Sequence, residues 1–266
     1  MYVSNGQMLS MFMAPIVPLL VAAGGCILLY HYSDKKRVGI LHGVGFGILA
    51  YIWQLILNTL VTVLITKYDW LRNVVQSNVA ISSLIYALIN SVFVAIGLVW
   101  GVRIATRSQK SLTRKYSIKA VSVGIGFGVF NTVWNLVIPY GESLYYSARI
   151  NTGSFVGSDE LAQSVFDTRP GIVLLDSLKG VYLLILYMAL ALLVSGFLRE
   201  NKKWNARISV TLAQFVLFFT NALFRNFAAE SVTRIGMQIF LLAVTVWAVW
   251  YLWRWMKTLK NKRLSG

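Results

Sequence analysis

Amide side chains inside long apolar runs are the residues of this sequence best suited to chemistry. Seven lie well within such runs: Gln54, Asn58, Asn90, Asn131, Asn135, Gln214 and Asn221. An amide donates and accepts hydrogen bonds but cannot serve as a general base. A set of amides therefore favours binding over bond cleavage, and we predict a polar cavity formed by Gln54, Asn58, Asn90, Asn131 and Asn135. The alternative is that these amides only bond neighbouring helices, at about 0.6 kcal/mol each in a membrane.

Groups that could cleave a bond are missing from the same runs. No Asp, Glu, Lys or Arg falls in their central parts, and Asp176, Lys179 and Arg225 lie at their edges. His31 and His42 flank a basic turn without the third and fourth ligands that a metal site needs. From these patterns we expect no catalytic residue, no metal and no cofactor.

A repeated glycine motif indicates where helices pack closely. Gly43–Trp53 and Gly124–Trp134 share the pattern G-x-G-F-G, five residues, then Trp, 81 residues apart. At about 100° per residue, Gly124, Gly128, Asn131 and Asn135 fall on one stripe. The equivalent stripe of the first copy carries Gly43, Gly47, Ala50 and Gln54. We predict that Gly43, Gly47, Gly124 and Gly128 are helix-packing positions.

Composition places the chain among multi-pass membrane proteins. It has 266 residues, of which 57% are hydrophobic and 13% charged, whereas soluble domains carry about 25% charged residues. Since roughly 20 apolar residues cross a bilayer, we predict a single all-α membrane domain over residues 1–266. Its seven spans are predicted at 11–32, 39–66, 80–102, 120–140, 178–198, 208–227 and 236–253. The N-terminus lacks a basic n-region, so we expect the first span to be retained.

The net charge of +16 is distributed unevenly along the chain. The alternate loops 33–38, 103–119, 199–207 and 254–266 hold 18 of the 25 Lys and Arg residues and only two acids. The positive-inside rule makes these loops cytoplasmic, with the N-terminus outside and the C-terminus inside. This placement predicts contact with the lipid bilayer and argues against nucleic acid as a partner.

One long segment, 141–177, is predicted as an extracytoplasmic loop. It is rich in Ser and Gly, as in the stretch Asn151–Ser154, and carries five acids. A loop of this length is either a lid or a loose connector, and its Asp159–Asp167 part could form a short helix.

The order of the spans and the glycine-rich motif resemble the YhfC-type family of intramembrane proteases, relatives of the CAAX proteases. In that family one span carries Glu-Glu-x-x-x-Arg, and a later one opens with Gly-x-Gly-His-Gly-x-x-Glu. A long loop follows, and then late spans with His and Asp. The resemblance covers residues 11–225 by layout more than by identity, and it implies an intramembrane peptidase fold in the plasma membrane of a bacterium.

This chain departs from the family at every position that the resemblance would make catalytic. The replacements are Asn90 and Ser91 for the paired Glu, Ala95 for the Arg, Phe127 for the His, Asn131 for the Glu, and Leu217 and Asn221 for the late His and Asp. The resemblance therefore implies a pseudoprotease, because amides keep the shape of the acids without their proton chemistry.

Three functions remain open on the sequence alone. The first is a non-catalytic protein whose polar cavity binds a partner helix, a peptide or a lipid. The second is a transporter or permease component, since internal repeats mark transporter folds. The third is an active peptidase that uses residues not recognised above.

Overall fold

The computed structural model describes residues 2–33, 37–76, 78–107, 113–227 and 230–264. Within these ranges, side chains are not described at 37–38, 76, 113–115, 223–227, 230–234 and 258–264. The described chain is almost entirely helical and contains no strand. The predicted all-α class is confirmed.

The helices follow one another with short connections. They are α1 (Asn5–Tyr32), α2 (Arg37–Lys67), α3 (Asp69–Gln76), α4 (Val79–Thr106), α5 (Thr113–Thr132), a π-helical segment (Val133–Val137), α6 (Ile138–Asn151), α7 (Asp159–Phe166), α8 (Pro170–Arg199), α9 (Lys203–Phe227) and α10 (Glu230–Leu264).

Six helical stretches in the described part of the chain are long and apolar enough to cross a membrane. They are Asn5–Tyr32, Gly39–Lys67, Val79–Thr106, Tyr116–Asn151, Pro170–Arg199 and Ile235–Lys257. Each contains one of the predicted spans. The remaining predicted span, 208–227, lies in α9, which is helical but is not among the six. The structure is thus that of a multi-pass helical bundle. Whether it has the seven predicted spans depends on whether α9 crosses the membrane.

Helix α5 is the centre of the bundle. It packs against α2 on one side and α8 on another, and its Val121, Val123, Ile125 and Phe127 side chains are all fully buried. By contrast, α1, α2 and α10 expose large apolar side chains such as Leu20, Leu41 and Trp250. Glycine and serine are frequent in α5, and small residues let neighbouring helices approach closely, so its sequence fits its central place.

The predicted loop 141–177 is largely helical, which corrects the sequence-based expectation. Helix α5 continues through the π-helical segment into α6, and α8 begins at Pro170 rather than near 178. Pro139 lies just after this segment, and in a regular α-helix a proline ring clashes with the carbonyl group four residues earlier. The wider π turn bonds the Ile138 N–H to the Val133 carbonyl oxygen, and this lets the helix pass the proline. The short helix expected near Asp159–Asp167 is present as α7.

Helices α6 and α7 form an ordered cap over the start of α1. The Asn151 side chain accepts a hydrogen bond from the Val3 N–H at 2.8 Å and donates to the Val3 carbonyl oxygen at 2.9 Å. The Gln7 amide nitrogen donates to the carbonyl oxygens of Phe166 and Thr168, both at 3.1 Å. This segment is therefore a packed part of the bundle.

Candidate functional site

A polar cavity of about 390 Å³ lies among α2, α4, α5, the π-helical segment, α8, α9 and α10. All five predicted cavity residues line it: Gln54, Asn58, Asn90, Asn131 and Asn135. It lies toward the end of the bundle where α2 ends and α8 begins. Five helices and the π-helical segment supply polar side chains to one space inside a largely apolar bundle.

One side of the cavity is held rigid by hydrogen bonds between α2 and α5. The Tyr51 hydroxyl donates to Asn131 Oδ1 at 3.0 Å. The Asn135 amide nitrogen lies 3.3 Å from the Tyr51 hydroxyl oxygen and 3.0 Å from Asn131 Oδ1. Each of these side chains is fixed by the other two. They are positioned to shape the wall, and their bonding capacity is largely used within it.

The neighbouring part of the α2 wall differs, because its oxygens have no partner. Gln54 is only 5% exposed, and its Oε1 atom is buried without a hydrogen bond. The Oδ1 atom of Asn58, one turn further along α2, is likewise buried and unpartnered. Residues at i and i+4 share a helix face. The cavity therefore presents two adjacent acceptors, each of which costs about 1–3 kcal/mol if left unsatisfied.

The π-helical segment supplies a further part of the wall. Trp134, Asn135 and Leu136 line the cavity, and all three lie between Val133 and Val137. Single-turn π-helical segments occur frequently at functional sites, since the extra residue turns side chains away from their regular helical positions. Here the segment begins two residues after Asn131, and Asn135 within it lies in hydrogen-bonding distance of Asn131.

Two charged residues that the sequence had placed at a span edge also line the cavity. Because α8 begins at Pro170, Asp176 and Lys179 lie two to three turns inside that helix. The Tyr140 hydroxyl of α6 donates to Asp176 Oδ2 at 2.7 Å. Asp176, Lys179 and Tyr51 line the cavity but were not predicted as cavity residues from the sequence. Tyr51 could have been predicted from its position three residues before Gln54, on the same face of α2.

Glycines beneath the cavity bring the helices close together. A Cβ atom at Gly124 would lie 2.7 Å from Met188 Cα, and one at Gly128 would lie 2.5 Å from Leu184 Cδ1, so both glycines face α8. A Cβ atom at Gly43 would lie 2.9 Å from the Lys119 carbonyl oxygen, and one at Gly47 would lie 2.7 Å from the Phe127 nitrogen. The two predicted glycines of the first copy thus meet α5, and those of the second copy meet α8.

The seven positions at which the chain departs from the resembling family are only partly brought together. Asn90, Asn131, Leu217 and Asn221 line the cavity. The other three, Ser91, Ala95 and Phe127, are buried but do not. The Ser91 hydroxyl donates to the Ala87 carbonyl oxygen of its own helix. Phe127 packs between two cavity residues, with ring centroids 4.9 Å from Tyr51 and 4.8 Å from Tyr187.

Other candidate residues lie apart from the cavity. Gln214 is fully buried with both amide atoms unpartnered, outside the cavity lining. His31 stacks edge-on with Tyr32 at the end of α1, with ring centroids 5.8 Å apart. Among the described residues, no group of three or more His, Cys, Asp or Glu is arranged to hold a metal ion.

No family model matches this chain, and neither a curated protein nor a solved structure matches it.

Proposed function

We propose that this protein is a non-catalytic multi-pass membrane protein that holds a hydrogen-bond-donating ligand in its polar cavity. The ligand is a short peptide segment or the side chains of a partner helix. The observation that carries this proposal is the pair of buried, unpartnered oxygens, Gln54 Oε1 and Asn58 Oδ1, on one face of α2.

The chemistry of the wall selects the kind of ligand. Two acceptors one helical turn apart suit a group with several N–H or O–H donors, such as an amide, an ammonium or a hydroxyl-bearing side chain. In a membrane, unsatisfied donors of an inserted chain are costly. A partner that carries such donors is therefore stabilised when it enters the cavity, because its donors and the two wall oxygens then form hydrogen bonds with each other.

The size of the cavity limits what can enter. Its 390 Å³ lies at the lower end of the range of about 300–1,000 Å³ found for ligand sites. It has room for a few side chains and not for a whole helix about 10 Å wide. A partner helix would therefore dock against the bundle and insert only one or two residues.

The resemblance to intramembrane proteases supports a binding role without cleavage. Four of the seven positions at which the family would carry catalytic groups line this one cavity, namely Asn90, Asn131, Leu217 and Asn221. None of them can act as a general base. We infer that the cavity corresponds to a protease cleft that has lost the acids at these family positions and retains the ability to hold a peptide.

We also propose a seven-span topology in a bacterial plasma membrane, with the N-terminus outside and the C-terminus in the cytoplasm. In this arrangement α9 is the sixth span, and it packs along α4 within the bundle. The cavity then lies in the outer half of the membrane, next to the cap formed by α6 and α7. A ligand would arrive from the extracytoplasmic side or laterally from the bilayer.

Site-specific photo-crosslinking in cells tests the binding proposal. A photoreactive residue at Asn90 faces the cavity, whereas one at Leu88, 47% exposed on the same helix, serves as the lipid-facing control. We expect a discrete adduct with one partner from position 90 and only lipid adducts from position 88. Identical adduct patterns from both positions would contradict the proposal.

A permease component is the second candidate, and Asp176 in the cavity wall favours it. A carboxylate that lines a membrane cavity is a frequent feature of ion and proton pathways. Uptake of amines or small peptides into proteoliposomes that contain the protein tests this candidate. Flux that Asp176→Asn abolishes would support a permease over a binding protein, and the absence of flux would reject it.

A further inference from the structure

A second cavity, of about 340 Å³, lies at the opposite end of the bundle. It is formed by the end of α4, the start of α5, the end of α8 and the α8–α9 turn. Along α4, Arg103 lies 13 residues beyond Asn90, which is about 20 Å at 1.5 Å per residue. The two cavities are therefore separate, and this one belongs to the end that carries the basic loops.

Cations dominate the polar lining of this second cavity. Arg103 and Arg107 come from the end of α4, Lys203 opens α9, and no carboxylate is among the described lining residues. The nearest acid in sequence, Glu200, is engaged elsewhere. Its Oε2 atom accepts a hydrogen bond from Lys202 Nζ at 2.8 Å, and this bond lowers the pKa of Glu200. The three cations are thus not neutralised by that acid.

The shape of the chain at this end fixes where the lysine lies. Asn201 adopts a left-handed conformation with φ of 63°, which Asn tolerates better than most residues. The Lys202 N–H then donates back to the Phe197 carbonyl oxygen at 2.8 Å, closing the end of α8 as in a Schellman motif. Helix α9 begins immediately afterwards at Lys203, which lines the same cavity as the two arginines of α4.

An apolar side accompanies the charges. Trp100, Ile104 and Leu198 line the same cavity, and Trp100 is 42% exposed on the outer surface of α4. Tryptophan at this depth is typical of the boundary between acyl chains and headgroups. Nearby, the guanidinium carbon of Arg207 lies 5.2 Å from the centre of the Trp204 ring. The cavity thus joins a cationic part to an apolar part at a membrane interface.

We propose that this cavity binds one phospholipid with an anionic headgroup, whose phosphate is held by Arg103, Arg107 and Lys203. The acyl chains then lie along Trp100 and Ile104. Basic pockets between membrane helices recognise anionic headgroups in this way, and arginine binds phosphate oxygens through two parallel hydrogen bonds.

Native mass spectrometry of the full-length protein in non-ionic detergent tests this proposal. Dioleoylphosphatidylglycerol and dioleoylphosphatidylcholine share their acyl chains and differ in net charge, so their competition isolates the headgroup. We expect the protein to retain one phosphatidylglycerol molecule in preference to phosphatidylcholine. In R103Q/R107Q/K203Q that preference falls on the order of 100-fold, since each cation near the surface contributes a several-fold factor.

Two further variants distinguish binding at this cavity from a nonspecific effect of the protein's positive charge. K119Q/R254Q/K257Q removes three cations from outside the cavity and leaves the Lys202–Glu200 pair in place, and we expect it to keep the preference. R103K/R107K keeps the charge and is expected to stay within a few-fold of the natural protein. Equal loss in both triple variants would overturn the proposal, and so would equal retention of the two lipids by the natural protein.

A final comparison distinguishes lipid from free phosphate, since both present the same oxygens. Inorganic phosphate in large excess is expected to leave the bound phosphatidylglycerol in place, because phosphate alone does not contact Trp100 and Ile104. Complete displacement by phosphate would assign the site to a soluble anion and contradict the lipid. The outcome is independent of the amide cavity, which lies at the other end of the bundle.

Discussion

At the scale of residues, four hydrogen bonds tie Tyr51, Asn131 and Asn135 into one group. The group spans α2 and α5 at the point where the packed glycines give way to the cavity. Gln54 and Asn58 lie next to it and bring oxygens that no described group satisfies. Amides that are fixed by hydrogen bonds thus lie next to amides whose oxygens have no partner. This arrangement is expected of a preformed binding site.

Removing the Tyr51 hydroxyl should weaken the fold by a modest amount. Tyr51→Phe removes one of the two hydrogen bonds to Asn131 Oδ1 and one acceptor of the Asn135 amide. We expect the free energy of unfolding, measured by denaturant titration in mixed micelles, to fall by about 0.5–2 kcal/mol. The control is Tyr145→Phe, whose ring is 57% exposed. Equal effects of the two changes would contradict a structural role for the buried network.

The sequence could predict the amides of the cavity but not all of its wall. Asn and Gln stand out in apolar runs, and their shared helix faces could be read from the spacing. Asp176 and Lys179 could not be placed, because the start of α8 depends on how the preceding segment folds. Tyr51 was overlooked because a tyrosine in a span is ordinarily a packing or interfacial residue, and its hydroxyl becomes important only when Asn131 lies opposite.

At the scale of elements, α5 is held on two sides by different glycines of one motif. A Cβ atom at Gly126 would lie 2.7 Å from the carbonyl carbon of Val44 in α2, whereas Gly124 and Gly128 face α8. The corresponding middle glycine of the first copy, Gly45, has nothing within 4 Å of its Cβ position. The motif is repeated, but only the copy in the central helix uses all three glycines.

This difference provides a matched pair of variants. Gly126→Ala forces the α2 and α5 backbones apart, and we expect it to lower the free energy of unfolding by about 1–3 kcal/mol. Gly45→Ala meets open space, and we expect a change between zero and about 1 kcal/mol of stabilisation from helix propensity. Both are measured by the same denaturant titration. A Gly126→Ala variant as stable as Gly45→Ala would show that the close approach of the two helices is not required.

The cap formed by α6 and α7 should protect the start of α1. Asn151→Ala removes both hydrogen bonds to Val3, and we expect hydrogen exchange at residues 2–8 to rise several-fold while α5 and α8 are unaffected. Asn73→Ala, at an exposed position of α3, serves as the control. Unchanged exchange at residues 2–8 would contradict the packed cap.

The sequence could predict close packing at the glycines but not the partner of each. Glycine spacing identifies a helix face, and it says nothing about which helix meets that face. The partners depend on α5 being central, a property of the whole bundle. In the same way, the continuation of α5 into α6 past Pro139 depends on the π-helical segment, which the residue spacing does not predict.

At the scale of the whole molecule, the basic loops and the six long apolar helices agree on a membrane bundle, and α9 decides the topology. Its face contains Arg207, Gln214 and Asn221, which makes it less apolar than the other long helices. A helix that lies between other helices of the bundle can carry such residues, because polar side chains face the interior in membrane proteins. Seven spans follow if α9 crosses.

Cysteine labelling tests this crossing. In a Cys26→Ala background, which removes the one cysteine of the chain, a membrane-impermeant maleimide should label Ser154→Cys and Ala229→Cys in intact cells. Lys202→Cys should react only after permeabilisation. If Ala229→Cys behaves like Lys202→Cys instead, α9 does not cross and the count is six.

The central claim is that Gln54 and Asn58 receive a ligand, and the yield of the Asn90 photo-adduct measures this most directly. In Gln54→Leu/Asn58→Leu both acceptors are lost while the space stays filled, and we predict that the adduct falls at least tenfold. Ile56→Ala, exposed on the opposite face of α2, should leave the yield unchanged. An undiminished adduct in the Gln54→Leu/Asn58→Leu variant would contradict the account.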